Sequence, residues 1–164
     1  MTLQNLLHSL MMLSKTVSLH EATKSTTALR HGIDNTPNPE QLENLKRTAE
    51  KIVDPVRNQF PTTSINSFFR SPALNRKIGG AKNSQHCLGE AVDLDSPEDV
   101  NNLAIFNFVK DHLVFDQVIA EFPNAEGVPS WCHASIRMKD NRGQVLVKLK
   151  LRYIPFGEYV VGMV

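Results

Sequence analysis

Two cysteines in 164 residues are too few for a disulfide scaffold, and Cys87 and Cys132 lack the CxxC spacing of a redox or structural metal motif. They read as small buried side chains, with a disulfide between them as the sharper alternative. An excess of one charge is lacking too. Eighteen Lys and Arg stand against 17 Asp and Glu, for a net charge of +1, so no field argues for a nucleic-acid partner or an anionic membrane. No apolar run is long enough to span a bilayer, and no internal repeat or low-complexity tract interrupts the chain. No Lys or Arg precedes the first apolar residues, and a small-x-small cleavage site is missing. With no export signal recognised, the expectation is a monomer in the cytoplasm of a bacterial (host) cell. It would reach any target outside only after release or export by another route.

What is present suits one domain over residues 1–164, with ordinary hydrophobic (41%) and charged (21%) fractions. Leu3, Leu6, Leu7, Leu10 and Leu13 recur at helical spacing and predict a leading amphipathic helix over 1–16. Short helical pieces follow at Ser18–Ala22 and Thr27–Arg30, ending at Gly32. Asn38-Pro39 opens the main core helix, with Asn as N-cap and Pro at the first helical position. Its apolar stripe is Leu42, Leu45, Ala49, Ile52, Val53, Val56 and Phe60, and Pro55 predicts a kink or an early end. Strands are expected over Thr62–Phe69, Ala91–Asp95, Phe115–Glu121 and Val145–Tyr153. Between them lie a short helix at Ala73–Ile78 and a helix capped by Ser96-Pro97, burying Val100, Leu103, Ala104 and Phe108. Lys148, Lys150 and Arg152 alternate with apolar residues and read as a solvated sheet face. His20, His31 and His112 read as surface or helix-end residues. The fold class expected is α+β, an antiparallel sheet with helices packed on it.

The chemistry concentrates in Ser84-Gln85-His86-Cys87-Leu88-Gly89-Glu90-Ala91-Val92-Asp93 and in Trp131-Cys132-His133-Ala134-Ser135. His86, Asp93 and His133 offer two imidazoles and one carboxylate with a fourth position open. That is the donor set of a catalytic zinc site rather than a closed structural one, though other divalent ions also suit imidazole and carboxylate. Asp95 shares a strand face with Asp93 and is its nearest rival, or an acceptor behind it.

These stretches resemble the Ser-x-His-x-x-Gly-x-Ala-x-Asp and Trp-x-His-x-Ser signatures of the zinc D-Ala-D-Ala carboxypeptidases. Those enzymes and the related L-Ala–D-Glu endopeptidases share a fold with the Hedgehog signalling domain. Gly32-Ile33-Asp34-Asn35-Thr36-Pro37 and the residues before it are similar to the lead of phage-type members. The resemblance implies Zn2+ held by His86, Asp93 and His133, and hydrolysis of an amide bond in peptidoglycan stem peptides, in the manner of an endolysin. It does not choose between removal of terminal D-Ala and internal cleavage. Phe69-Arg70-Ser71-Pro72 is similar to a family segment whose Arg faces the cleft, so Arg70 is implied to meet a substrate carboxylate or oxyanion. Without that likeness Arg70 reads as a surface ion-pair residue. Ser84 is implied to be a cleft hydroxyl, and otherwise caps a turn.

A general base is also needed, a role worth roughly 10²–10⁴-fold in rate. Phe115-Asp116-Gln117-Val118-Ile119-Ala120-Glu121 resembles the family strand that ends in its catalytic Glu, which implies Glu121. The connection 122–130, marked as a loop by Pro123, Gly127 and Pro129, holds the reserve candidate Glu126. The competing class is a non-catalytic zinc-binding or wall-binding module on the same scaffold.

Overall fold

Asn38 caps the helix on which the core is built. In the computed structural model, which describes residues 11–96, 101–150 and 152–161, α3 runs Pro39–Thr48. It opens with a reciprocal capping box between Asn38 and Gln41. Before it, Ser18 and Ser25 cap the short helices α1 (Leu19–Thr23) and α2 (Thr26–His31). Helix α2 stops at Gly32, in the left-handed region. After α3 comes a π turn, Ala49–Val53, and then α4, Asp54–Gln59. Pro55 therefore does not end the helix. Its ring would press on the carbonyl four residues back and it has no N–H to donate, and the wider turn just before it absorbs both defects. The apolar stripe stays continuous, with Leu45, Ala49, Ile52, Val53 and Val56 buried.

The leading helix expected over 1–16 falls mostly outside the described residues, and Met11–Thr16 within them is not helical. Met12 bridges Ser18, and the N–H groups of Leu13 and Ser14 both donate to the Val17 carbonyl. The cause is Asp54, a buried carboxylate that needs donors. The Ser14 and Thr16 hydroxyls and the Lys15 and Thr16 backbone N–H groups all converge on it.

Six strands make one sheet: β1 Ser64–Ser67, β2 Ala91–Asp95, β3 Gln117–Glu121, β4 Trp131–Ser135, β5 Gln144–Lys148 and β6 Tyr153–Pro155. Their spatial order is β1-β2-β4-β3-β5-β6. The α+β class holds, but the sheet is mixed: β3 and β5 pair parallel and the other neighbours antiparallel. The reason is occupancy of edges. The β3–β4 hairpin reverses the chain, β2 already covers the far side of β4, and β5 joins at the edge of β3 that remains free. Having reversed once more, it runs with β3.

Pleating divides the sheet into two faces. Val92, Leu94, Val118, Ala120, Cys132, Ala134 and Val147 are buried in one core with the α3–α4 stripe and with Ile105, Phe106 and Val109 of α6 (Asn102–His112), the helix after the short α5 (Pro72–Lys77). Each large apolar side chain fully buried there stabilises by about 1.5–3 kcal/mol. Helix α6 departs from expectation, since Asn101 is its N-cap and Asn102, Ile105, Phe106 and Val109 are its buried positions. Asn102 sets this rotation by pointing inward. It donates to Asp95 Oδ1 and the Ser130 carbonyl and accepts from the Ser96 N–H. Residues 97–100, where an earlier start was expected, lie outside the described residues.

The last expected strand is two strands. Leu149 N–H donates to the Arg152 carbonyl and turns the chain, so Lys150 and Arg152 leave the basic row and Lys148 alone stays on the sheet. Among the described residues no helix is long and apolar enough to cross a membrane.

Candidate metal centre and active site

The face opposite the core carries the chemistry. Asp93 on β2 is directly across from His133 on β4, and Ile119 on β3 is next in that row. One step along, Trp131 pairs with Glu121 on the same face. A one-residue slip of β4 would send His133 into the apolar core and Cys132 out, so burial of the other face fixes this register.

His86 arrives from a different kind of element. Residues Gln85–Leu88 form a 3₁₀ turn that ends at Gly89, with φ of +77°. A Cβ on Gly89 would also lie 2.6 Å from the Gln41 carbonyl oxygen. Only glycine satisfies both the left-handed backbone and the close approach of α3. Helix α3 then holds the turn by its polar side: Gln41 Nε2 donates to the Cys87 carbonyl, Asn44 Nδ2 to that of Leu88, and Thr48 Oγ1 to that of Gly89. Sequence reasoning missed these three supports. The signal was there, in polar residues at positions 41, 44 and 48, helical spacing that runs along the border of the apolar stripe.

Three donor atoms, one each from His86, Asp93 and His133, lie within 4.8 Å of one another. His86 Nδ1 donates to the Phe68 carbonyl at 2.7 Å, which leaves Nε2 as the lone-pair nitrogen, 3.2 Å from Asp93 Oδ1. His133 brings Nδ1 to the same oxygen at 2.9 Å. Burial pushes the His86 imidazolium toward its neutral form, against the pull of the Asp93 charge. Burial alone would raise the Asp93 carboxyl. Protonated imidazoles beside it, His86 by its charge first and His133 by its hydrogen bond next, more than reverse that and hold it well below the usual carboxylate range. The carboxylate is therefore already ionised when His86 gives up its Nε2 proton. A neutral imidazole fixed through its other nitrogen, a second imidazole and an ionised carboxylate, all converging on one point, fit a divalent cation such as zinc.

Arg70 stands behind this set. Its Nη2 donates to Asp93 Oδ2 at 2.6 Å and its Nε to Ser67 Oγ at 2.7 Å. Its own backbone is clamped by Asn35, which donates to the Thr23 and Phe69 carbonyls and accepts from the Ser71 N–H. Asn35 is a second support that sequence reasoning passed over, although it sits in the stretch similar to the phage-type lead. On the outer side of Arg70 a cavity of about 710 Å³ opens toward α1 and α2, lined by Lys24, Asn35, Asn66, Ser67 and Phe69 among others. The three donor residues do not line it, so it flanks the centre rather than containing it.

Glu121 is the buried last residue of β3. Burial raises its carboxyl, opposed chiefly by the His133 charge, and Asp93, Lys148 and Arg70 act on it as well. The loop 122–130 after it is closed by its own backbone. Phe122 turns the chain at φ of +48°, and Ser130 N–H donates back to the Glu121 carbonyl. Asn124 Oδ1 closes the loop tip by accepting from the Glu126 and Val128 N–H groups. The hairpin thus leaves Glu121 on the face of His133, while Glu126 is exposed on the loop. Ser84 precedes the 3₁₀ turn, half-buried, and its hydroxyl does not cap it. Asp95 is tied to Asn102 and Asn66, away from the donor set. Cys87 and Cys132 are free thiols, Cys132 on the core face of β4.

A sequence model of the family described as Peptidase M15 matches residues 15–126. That stretch contains Arg70, Ser84, His86, Asp93 and Glu121 and stops before His133, which the β2–β4 pairing brings to the others. No curated protein matches the chain.

Proposed function

The chain belongs to the peptidase M15 family, and from that premise we propose that it is a zinc-dependent hydrolase of an amide bond in bacterial peptidoglycan stem peptides. The bond is either terminal D-Ala–D-Ala or internal L-Ala–D-Glu, and the setting is that of a phage-type, endolysin-like enzyme. The observation that carries this reading is the convergence of His86, Asp93 and His133 on a sheet face that also presents Glu121.

Zinc held by these three residues supplies a Lewis acid for the scissile carbonyl and makes water a competent nucleophile near neutral pH. The chain does the rest. Glu121 takes the proton from the attacking water and delivers it to the departing amine, and its position at the end of a rigid strand keeps it aimed. Arg70 orients Asp93 through Nη2, which leaves Nη1 to meet a substrate oxygen or developing oxyanion. Ser84 offers a hydroxyl at the start of the His86 turn. The buried Phe68 carbonyl fixes the ring of His86, so the donor set is formed before substrate arrives.

The test is mass spectrometry of the products from purified peptidoglycan, with and without a chelator. Chelator-sensitive release of D-Ala, or of fragments cut between L-Ala and D-Glu, is expected and identifies the bond. Stoichiometric zinc with no product from any stem peptide would instead make the chain a non-catalytic module.

A further inference from the structure

Lys148, the cross-strand neighbour of Glu121, is a cation of this site. In register, β4 Trp131, β3 Glu121, β5 Lys148 and β6 Tyr153 form one cross-strand row on the face that holds His133. Lys148 Nζ lies 3.8 Å from the centroid of the Tyr153 ring, close enough for the ring face to hold the ammonium. The Tyr153 hydroxyl is pushed up by burial and then by the Glu121 and Asp93 carboxylates. Among the described residues Lys148 makes no ion pair, whereas Arg70 gives Nη2 to Asp93 and Nε to Ser67. Tyr153 remains about half exposed, so the row is accessible from solvent.

The proposed substrates share one chemical feature. In both D-Ala–D-Ala and L-Ala–γ-D-Glu, the residue whose nitrogen departs carries a free α-carboxylate beside that nitrogen. Glu121 must reach the nitrogen to protonate it, and Lys148 is its direct neighbour on β5. We propose that Lys148, steadied on the face of Tyr153, binds the α-carboxylate of the residue on the leaving-amine side of the scissile bond. It is a specificity element that selects a free carboxylate at that position. The inference rests on the hydrolytic reading for its substrate class, but its own readout is binding.

The test uses the full chain loaded with zinc and carrying Glu121→Ala, so that peptides persist. Two probes are titrated by calorimetry, a peptide ending in D-Ala–D-Ala and one containing L-Ala–γ-D-Glu. Each is prepared with the leaving residue's α-carboxyl free and amidated. Adding Lys148→Met should weaken binding of at least one free-carboxylate peptide about tenfold. It should weaken that peptide's amidated form much less, and Lys148→Arg should restore most of the difference. Thermal unfolding of each variant shows whether the strand is intact. Equal weakening of free and amidated peptides, or none, overturns the inference. Hydrolysis by the wild-type chain is assayed separately: a chain that cuts neither peptide refutes the hydrolytic reading, while the titrations still decide the role of Lys148.

Discussion

Asp93 and His133 face each other across the β2–β4 ladder, with His133 Nδ1 2.9 Å from Asp93 Oδ1. Forty residues of chain separate them, and one strand pairing sets their distance. The other Asp93 oxygen is held by Arg70, so a single carboxylate joins the donor set to the segment that fixes it.

Removing a donor and removing the base should have different consequences. His133→Ala is expected to lose both stoichiometric zinc and peptidase activity. Glu121→Ala is expected to keep zinc and lose about 10²–10⁴-fold in rate. Metal analysis of the purified variants beside the peptidoglycan assay checks this, and a fully active Glu121→Ala would remove Glu121 from the chemistry.

Gly89→Ala should destabilise the chain by about 1–3 kcal/mol, because the left-handed backbone is strained for alanine. The new Cβ would also press on the Gln41 carbonyl and Leu45. Urea denaturation measures the loss. A variant as stable as wild type would mean that α3 and the His86 turn can separate without penalty.

Asn35→Ala removes three hydrogen bonds that tie Phe69–Ser71 to α1. Leaving those backbone groups unpaired should weaken the fold by about 1–3 kcal/mol. It should also loosen Arg70, seen as faster amide exchange at Arg70 and Ser71. Unchanged exchange there would show that the clamp is not what holds the segment.

Asp116 has no exposed side-chain surface and takes hydrogen bonds from Arg142, with Arg137 nearby. Burial would raise its carboxyl, but the Arg142 hydrogen bonds and both guanidinium charges reverse this and hold it below the usual range. A depressed folded-state pKa gives stability that is present above the unfolded-state value of about 3.9 and lost as pH falls through the folded-state value. Asp116→Asn should therefore be less stable than wild type at pH 7, and the gap should narrow as pH falls below about 4. Thermal melts across that range decide it; a gap that stays constant into acid would show that ionisation of Asp116 contributes nothing.

Local chemistry was legible in the sequence. Asn38-Pro39, the stripe from Leu42 to Phe60 and Gly32 each specify their element through neighbouring residues alone, and the structure agrees at each. His86, Asp93 and His133 could be named because residue types and spacings in their motifs were distinctive. Their convergence is a tertiary fact, imposed by the β2–β4 register and by α3 holding the Gly89 turn. Long-range pairing likewise decided what no window of sequence could. The parallel β3–β5 contact follows from which sheet edge remained open, and the rotation of α6 from the inward reach of Asn102. Alternation made Lys148 one member of a solvated basic row. A turn at Leu149 and the neighbouring strand end put it beside Glu121 instead, because side-chain direction follows from pleat and sequence, but what a side chain meets depends on which strand lies next to it.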